Sequence, residues 1–441
     1  MRAKFGILVI LLLMFSVTQL HSEEIKVIEL SWDEVAGIVR LDNLSLQMAE
    51  LDNKTAAAEV KKAWGSFLPS LDYQWLWSDD ELTQAQMPVP ADNMFGHSIS
   101  MTYPLFVGGA RYANLKMQQH LQKSMAAELE GLESDVVLNS LQAYFGVILA
   151  GSLVEVYTEA MGLAERNLSQ VESFEGVGTA TELEVMQART RYFESIPQLE
   201  SARNQRKAAL NQLKMLLNIP AADSVLVKDT LSREEFLGGY ARLQIEEYKN
   251  LARDNRAEVV QIHNQSKAVS QQKLLAASQF MPKVVLTAGR NFYAYSDDWW
   301  IGKDDFAAYN SVGLVVQMPI FQGGSRWFDS QEAGYASKKM ALAKELTINQ
   351  VELEAEQSYY AYLEAKDNLK SQEEALATAE ESLRLANLYF TEGMVTQTEV
   401  LGAQLSYTNN RAALTSGIYN YNTSQLGLLR AIGDLASIWK K

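Results

Sequence analysis

Two distant segments of the chain carry the same motif at a fixed spacing, and this repeat constrains the fold more than any other feature. The run Pro104-Leu-Phe-Val-Gly-Gly-Ala-Arg111 recurs 215 residues later as Pro319-Ile-Phe-Gln-Gly-Gly-Ser-Arg326. The same offset aligns Gly178-Thr-Ala-Thr181 with Gly393-Met-Val-Thr396. Unrelated coincidences would not share one register. Because each unit is much longer than a solenoid repeat, the sequence predicts a tandem duplication with internal pseudo-symmetry.

The start of the chain predicts export. Met1-Arg-Ala-Lys4 is basic, and the apolar run from Phe5 to Val17 has the length of a secretory signal core but is short for a membrane-spanning helix. The sequence has no cysteine, which excludes a disulfide and a lipid anchor on cysteine. An exported chain of this kind indicates the envelope of a Gram-negative bacterium. The net charge of −15 argues against nucleic acid as a partner.

The positions of the prolines predict long helices. No proline occurs in 105–196 or 320–441, so these stretches lack the strongest helix breaker. We expect long helices from Gly109 to about Glu175 and from Gly324 to Phe390, each roughly 100 Å long at ~1.5 Å per residue. Part of the second helix carries apolar residues at alternating steps of three and four, the seam of a coiled coil: Leu376, Ala379, Leu383, Ala386 and Phe390.

Two shorter helices accompany the long ones. Ser31-Trp-Asp-Glu34 is a capping box that begins a helix extending to about Ser66, and Leu30 with Val35 forms its hydrophobic staple. A second short helix is predicted from Thr181 to about Leu217, where Asn218-Ile-Pro220 ends it. Pro197 predicts a kink near Glu194 in this helix.

Alternating sequences between the short and long helices predict β-strands with one apolar face. Segments 71–78, 98–105, 284–295 and 311–320 have the length of tilted transmembrane strands. Arg290 interrupts the apolar column of the third segment. The residues predicted to face lipid are Tyr73, Trp75, Trp77, Ile99, Met101, Tyr103, Leu314, Val316 and Met318.

Four strands cannot close a barrel, and an open sheet edge is not tolerated in lipid. A membrane location therefore requires oligomerisation, with eight strands from two copies or twelve from three. The alternative is a half-buried hairpin packed on helices.

The chain resembles the TolC-like outer-membrane efflux proteins, also called outer-membrane factors. The resemblance covers nearly the whole mature sequence and is carried by the order, duplication and spacing of several motifs: Leu30-Ser-Trp-Asp-Glu34, Ala63-Trp-Gly-Ser-Phe-Leu-Pro69, Pro104-Leu-Phe-Val-Gly-Gly109, Ala252-Arg-Asp-Asn-Arg-Ala-Glu258, Phe280-Met-Pro282, Pro319-Ile-Phe-Gln-Gly-Gly324 and the paired Gly178-x-x-Thr-x-x-Glu184 and Gly393-x-x-Thr-x-x-Glu399.

The resemblance implies an α+β membrane protein, a homotrimer with a twelve-stranded outer-membrane β-barrel continuous with a long α-helical periplasmic tunnel. It implies an exit duct for a tripartite efflux pump or a type I secretion system, located in the outer membrane and extending into the periplasm. The expected partners are two further copies of the chain, a periplasmic adaptor protein, an inner-membrane transporter and outer-membrane lipid. The expected segments are a signal peptide (1–22), a first repeat (23–217), an equatorial segment (218–254), a second repeat (255–433) and a C-terminal tail (434–441).

The repeated motifs also predict local roles. Glycine pairs after Pro104 and Pro319 let the backbone turn from strand into helix: Gly108, Gly109, Gly323 and Gly324. Gly178 and Gly393 are placed at helix reversals that form the periplasmic tip and its docking site, where Thr181 and Thr396 cap the returning helices with Glu184 and Glu399.

Two roles are open for these glutamates. Either both glutamates act as capping residues alone, or threefold symmetry gathers Glu399 into an acidic pore constriction, as the resemblance implies. Some members of the family carry a second acid one turn later, where this chain has Gly402, and a cation in the tip turn, where it has Val395. A more apolar gate is therefore an alternative.

The sequence offers no support for an enzyme. His97, His120 and His263 lack metal-ligand spacing, and no phosphate-binding loop or nucleophile elbow occurs, so we expect neither a cofactor nor a metal. Two other classes remain as alternatives, a coiled-coil structural or adhesin protein of the cell envelope and a periplasmic adaptor. The sequence does not identify the exported substrate.

Overall fold

The computed structural model describes residues 27–79, 93–296, 298–299 and 301–438. The predicted signal peptide lies outside these ranges, as do the last three residues of the C-terminal tail. The described helices, in chain order, are α1 (Trp32–Asp42), α2 (Leu44–Gly65), α3 (Ala110–Gly176), α4 (Glu182–Leu216), α5 (Ile245–Asn255), α6 (Ala257–Ser278), α7 (Ser325–Thr391) and α8 (Gln397–Ala431). The described strands are β1 (Val27–Leu30), β2 (Ser70–Asp79), β3 (Asn93–Val107), β4 (Ser224–Val227), β5 (Lys283–Ser296) and β6 (Ala307–Gln317).

The helices occur in pairs of equal length. Helices α3 and α7 have 67 residues each, α4 and α8 have 35, α2 and α6 have 22, and α1 and α5 have 11. The two long helices are confirmed at the predicted positions. Helices α3 and α7 begin 215 residues apart, whereas α2 and α6 begin 213 apart. The spacing therefore changes by two residues within the strand-bearing segments.

The chain divides into two compact units. The first consists of residues up to Asn43, Asn139–Glu234 and Ala365–Thr423, and the second of Leu44–Leu138, Glu235–Glu364 and residues from Ser424.

The first unit contains a small parallel sheet anchored by a buried tyrosine. Strand β1 pairs with β4 in the register Leu30↔Val227. The hydroxyl of Tyr144 lies 3.0 Å from the carbonyl oxygen of Leu30 and 2.7 Å from Oδ2 of Asp229, which also accepts the Trp32 N–H. Burial and the Asp229 carboxylate raise the pKa of Tyr144, which therefore remains a protonated hydrogen-bond donor.

The predicted helix from Ser31 to Ser66 is wrong in one respect, because it is broken at Asn43. The capping contacts at its start are present, with the Ser31 N–H donating to Glu34 at 2.8 Å, and Leu30 and Val35 are both fully buried. Asn43 has an extended conformation, and its buried side-chain amide donates to the Leu216 carbonyl at 2.9 Å. This bond satisfies an otherwise unpaired carbonyl at the end of α4, which offsets the interruption of the helix.

The second short helix agrees with its prediction. Helix α4 ends at Leu216, and Asn218 adopts a left-handed conformation just beyond it. The helix continues through Pro197 without an interruption in its assignment. The kink near Glu194 stays a prediction.

The second unit contains an antiparallel sheet in the order β2-β3-β5-β6. Strand β3 is longer than predicted and continues to Val107, so Pro104 lies inside the strand and not at its end. The register shifts between Pro104 and Phe106, because proline has no N–H for the ladder and a bulge absorbs the extra residue. Strand β6 ends at Gln317, so Met318, predicted as a lipid-facing residue within a strand reaching 320, lies just beyond the strand, next to Pro319, which cannot donate to a ladder.

Helix α3 contains an 18-residue window apolar enough to cross a membrane, with a mean hydropathy of 1.6, the one such helix in the described part of the chain. Half of that window is buried within the protein. Val137, Leu141 and Tyr144 of α3 are fully buried, so the core of the fold accounts for this apolar stretch.

Candidate functional site

The two junctions between the sheet and the long helices have the same arrangement, a pair of glycines followed by an arginine. Gly108, Gly109, Gly323 and Gly324 all have positive φ. At Gly108 a Cβ atom would lie 2.6 Å from the Ser278 carbonyl, so a side chain is excluded there by space as well as by conformation.

One arginine follows each glycine pair and joins three elements. The Arg111 guanidinium donates to the carbonyls of Ser66 and Leu105, at 3.1 and 3.2 Å, and lies 5.1 Å from the centre of the Phe67 ring. Arg326 repeats this arrangement with different partners: the carbonyls of Gln279 and Ile320, at 3.2 and 3.1 Å, and the Phe280 ring at 5.1 Å. Both arginines belong to the repeated motif, but the sequence predicted no role for them.

The four-stranded sheet has two chemically different faces. Cross-strand partners share a face in an antiparallel sheet, and the register pairs Tyr73 with Ile99 and Ala288 with Val312. The apolar face therefore collects the predicted lipid-facing side chains Tyr73, Trp75, Trp77, Ile99, Met101, Tyr103, Leu314 and Val316. Most of these are exposed in the chain, and Met101 and Tyr103 are half-buried.

The opposite face is mostly polar. It carries Gln74, Ser98, Ser100, Asn291 and Ser311. Arg290 lies on the apolar face, paired with Ile99 and Asn310, and its guanidinium is 5.2 Å from the Phe292 ring centre. The sequence analysis placed Arg290 in this column.

The predicted tip residues lie in the first unit, at two reversals with the same backbone geometry. Gly178 and Gly393 have φ of 79° and 72°. Gly393 N–H donates to the Phe390 carbonyl, and Met394 N–H to that of Tyr389, at 3.0 and 2.8 Å. This pattern is a Schellman motif, and Gly178 forms the same one. A Cβ at either glycine would meet no atom within 4 Å.

Each reversal is followed by a threonine–glutamate cap. The N–H of Thr181 and that of Thr396 donate to Glu184 and Glu399, both at 2.7 Å. The hydrogen bond from the Thr396 N–H, followed by that from its hydroxyl, lowers the pKa of Glu399. This carboxylate is therefore ionised at neutral pH. It lines an open groove of about 890 Å³ between α7 and α8, together with Glu381, Tyr389, Gly402 and other residues of both helices.

Contacts between the two hairpins were missed by the sequence analysis. The buried Gln397 donates to Asn167, which joins the start of α8 to α3. Arg411 forms a salt bridge with Glu159, and the rings of Phe174 and Phe390 lie 5.8 Å apart. These pairs connect residues more than 200 positions apart. A local sequence pattern therefore cannot show that such an asparagine or glutamine is buried.

A buried ion network occupies the second unit. Arg256 donates to Glu258 at 2.8 Å and to Glu354 at 2.9 Å, and Arg430 contacts the same two carboxylates and Asp135. Burial, and then the charge of Glu258, raises the pKa of Asp135. Arg256 and Glu258 belong to the 252–258 motif of the sequence resemblance, but their partners were not predicted. Removing a carboxylate would leave one of the two buried arginines less well compensated.

No group of three or more His, Asp or Glu side chains within the described ranges of the chain could hold a metal ion.

A match to a protein family defines the class of protein. Residues 36–218 and 249–434 match the Outer membrane efflux protein family, and the chain belongs to this family. It is an outer-membrane efflux protein, which confirms the predicted transport function and location and disfavours the coiled-coil and adaptor alternatives.

Individual relatives agree with this assignment. The chain is 24% identical over 413 residues to the outer membrane protein TolC of Escherichia coli, an alignment that covers 90% of this chain and 80% of TolC. Among solved structures, that of CusC superimposes with a TM-score of 0.80 at 18% identity and covers 95% of this chain and 96% of that one. The outer membrane protein VceC of Vibrio cholerae has a TM-score of 0.77 at 18% identity, with 91% and 96% covered. These structures show that the fold is shared.

Proposed function

We propose that the chain is one subunit of a homotrimeric exit duct, in which three four-stranded sheets form a twelve-stranded outer-membrane barrel and the helices form a periplasmic tunnel. The observation that carries this proposal is the sheet itself. It has an exposed apolar face. Its edge strands β2 and β6 pair on one side only, with β3 and β5, and their outer sides face no strand of the described chain. Such edges are tolerated in lipid only if another copy pairs with them.

The partners proposed for the duct are a periplasmic adaptor and an inner-membrane transporter, in a tripartite efflux pump or a type I secretion system. The tip turns support an adaptor contact, because Gly178 and Gly393 are exposed and leave open space where side chains would otherwise lie. Substrate transfer needs no chemistry from this chain, which supplies a passage and not a reaction.

We infer that Glu399 contributes to an acidic constriction in the trimer while it caps α8. The capping bonds use one carboxylate oxygen, Oε2, and the side chain lines an open groove. The lowered pKa favours a permanent negative charge, which attracts cations.

We also propose that the chain arose by tandem duplication. The equal helix lengths support this proposal. Since α5 matches α1 in length, we place the start of the second repeat at Ile245, and the equatorial segment then shortens from 218–254 to 218–244. The first repeat (23–217) and the tail (434–441) keep their predicted bounds.

The trimer is testable by disulfide cross-linking, because the chain has no cysteine of its own. Single cysteines placed along β2 and β6 are combined in pairs, and outer membranes are oxidised and run on a denaturing gel. Edge-to-edge pairs should give a ladder that ends at three chains. A ladder that ends at two, or that continues beyond three, contradicts the twelve-stranded barrel.

A further inference from the structure

Positive charge is concentrated beside the four-stranded sheet. We define the basic collar as residues 54–69, 108–127, 259–283 and 322–344, which contain the parts of α2, α3, α6 and α7 that adjoin the strands. The collar contains 13 Lys and Arg residues but 3 Asp and Glu residues, a net charge of +10, in a chain whose net charge is −15. The remainder of the chain is therefore strongly acidic, and the collar has the opposite sign.

Exposed aromatic rings accompany this charge. Trp64, Tyr112, Trp327, Phe328 and Tyr335 of the collar are all more than half exposed. Tryptophan and tyrosine beside lysine and arginine are typical of a membrane–water interface, where the ring lies at the depth of the headgroups. The collar thus continues the exposed apolar face of the sheet with residues suited to the next layer of a bilayer.

The lysines of α3 form one stripe. Tyr112, Lys116, His120 and Lys123 follow at steps of four, four and three, so they lie on one face of the helix. The Lys116 ammonium is 5.6 Å from the centre of the Tyr112 ring. Side chains of a helix lean toward its N-terminus, and α3 begins at the sheet, so these lysines are directed toward the strands.

Two neighbouring helices add cations to the stripe. Lys267 of α6 lies near both His120 and His263, and the Lys344 ammonium of α7 is 3.1 Å from His263 Nδ1. Burial first, and then the nearby lysines, lowers the pKa of both histidines. They are therefore neutral at pH 7, and the lysines supply the charge.

Carboxylates do not neutralise these lysines. Within the ranges that the structure describes, none of Lys116, Lys123, Lys267 and Lys344 forms a salt bridge. Glu345 directly follows Lys344 in α7, whereas the next acidic residues of α3 and α6, Glu128 and Glu258, line a separate groove farther from the sheet. Four unneutralised ammonium groups on three packed helices leave a site for an anion.

The depth of Lys116 fits phospholipid phosphate, whereas Lys123, Lys267 and Lys344 lie about 16 Å or more along their helices from the sheet. Headgroups occupy roughly 5–8 Å on each side of the hydrocarbon core. Lys116 lies four residues, about 6 Å, beyond Tyr112 along α3. A lysine at that position reaches the headgroup layer when Tyr112 lies at the interface.

We propose that the basic collar, with Lys116 at headgroup depth and Lys123, Lys267 and Lys344 behind it, binds the phosphate groups of anionic phospholipids in the periplasmic leaflet of the outer membrane. This inference rests on the proposed function, because it requires the sheet to span the membrane with its helical ends toward the periplasm. The bound lipid would hold the barrel at a fixed depth and neutralise the repulsion among the lysines.

The test measures lipid preference by fluorescence. The full-length protein is reconstituted in phosphatidylcholine vesicles at low ionic strength, and its tryptophans are quenched with brominated phosphatidylglycerol or brominated phosphatidylcholine. The test variant is Lys116→Gln, and the matched control Lys207→Gln removes one lysine outside the collar. We expect the wild type and the control to prefer phosphatidylglycerol, and the test variant to lose about fivefold of that preference, the contribution of one lysine near the surface.

The outcomes separate the collar from the membrane location. Equal quenching of the wild type by both lipids would overturn the collar proposal and leave the membrane location intact. No quenching by either lipid would overturn both. Competition by millimolar inorganic phosphate would reassign the cluster to a soluble anion, and an unchanged test variant would place the preference elsewhere. Quenching by brominated phosphatidylcholine also verifies that each variant is inserted.

Discussion

The two junction arginines allow a prediction in which each site controls for the other. Replacing Arg326 or Arg111 with methionine keeps the length of the side chain but removes two hydrogen bonds to backbone carbonyls and a cation–π contact. The partners are equivalent in the two repeats, but the environments differ. Arg326 is 9% exposed, whereas Arg111 is more open to solvent.

The difference in burial sets the expected magnitude. Hydrogen bonds to a charged group contribute about 1.5–3 kcal/mol when water cannot replace them. The cation–π contact adds about 1 kcal/mol. Two such hydrogen bonds at the lower end of their range and the cation–π contact sum to about 4 kcal/mol, so for Arg326→Met we expect the free energy of local opening to fall by about 4 kcal/mol, roughly a thousandfold in the opening equilibrium. For Arg111→Met, water replaces the lost donors, and we expect the free energy of local opening to fall by only about 1 kcal/mol, roughly fivefold in the opening equilibrium.

Hydrogen exchange followed by mass spectrometry measures this opening directly. Peptides covering 320–330 and 105–115 report on the two junctions in the same sample. Lysine at either position should restore part of the protection, because one ammonium cannot satisfy two carbonyls in different directions as a guanidinium does. Equal losses at the two junctions, or full protection in Arg326→Met, would refute the reasoning, since burial would then not control the contribution of the arginine.

Three further predictions concern the tip and the sheet. Glu399→Gln should reduce cation preference in planar-bilayer recordings. In the wild type, the pKa of Glu399 is lowered from its usual value of 4.5. The charge and its contribution to capping are therefore fully present at pH values above 4.5 and are lost as the pH falls below 4.5. Gly393→Leu should strain the left-handed turn and lower export while the heat-resistant trimer remains on gels, because few buried contacts depend on the turn. Arg290→Leu should raise the trimer dissociation temperature, since a mid-strand arginine facing lipid costs about 2–4 kcal/mol.

Periodic and capping signals predicted the helices well. The long helices end within one residue or so of their predicted bounds, because glycine and the threonine–glutamate caps are local signals that need no partner. The break at Asn43 was missed for the opposite reason. It depends on the Leu216 carbonyl, 173 residues away, and Asn43 itself is a tolerable helix residue.

The sheet shows the same limit. Alternation identified the four strands and their apolar face, but the bulge near Pro104 depends on pairing with β5. The ion network of Arg256 and Arg430 was not predicted, because charged residues in a helical sequence usually lie on a solvated face. Only the packing of several helices makes Arg256 a buried residue.

The duplication has a consequence for where subunits meet in the proposed trimer. Within the first unit α8 packs on α3, and Gln397 and Thr408 of α8 are buried there. The positions 215 residues earlier, Glu182 and Phe193 of α4, are exposed, and Phe193 is an aromatic ring 59% open to solvent. Pseudo-equivalent surfaces should have pseudo-equivalent neighbours, and the counterpart of α3 is α7. In the proposed trimer we therefore expect the exposed face of α4 to pack on the α7 of an adjacent subunit, which would make the contact between hairpins within one chain and the contact between chains two versions of one interface.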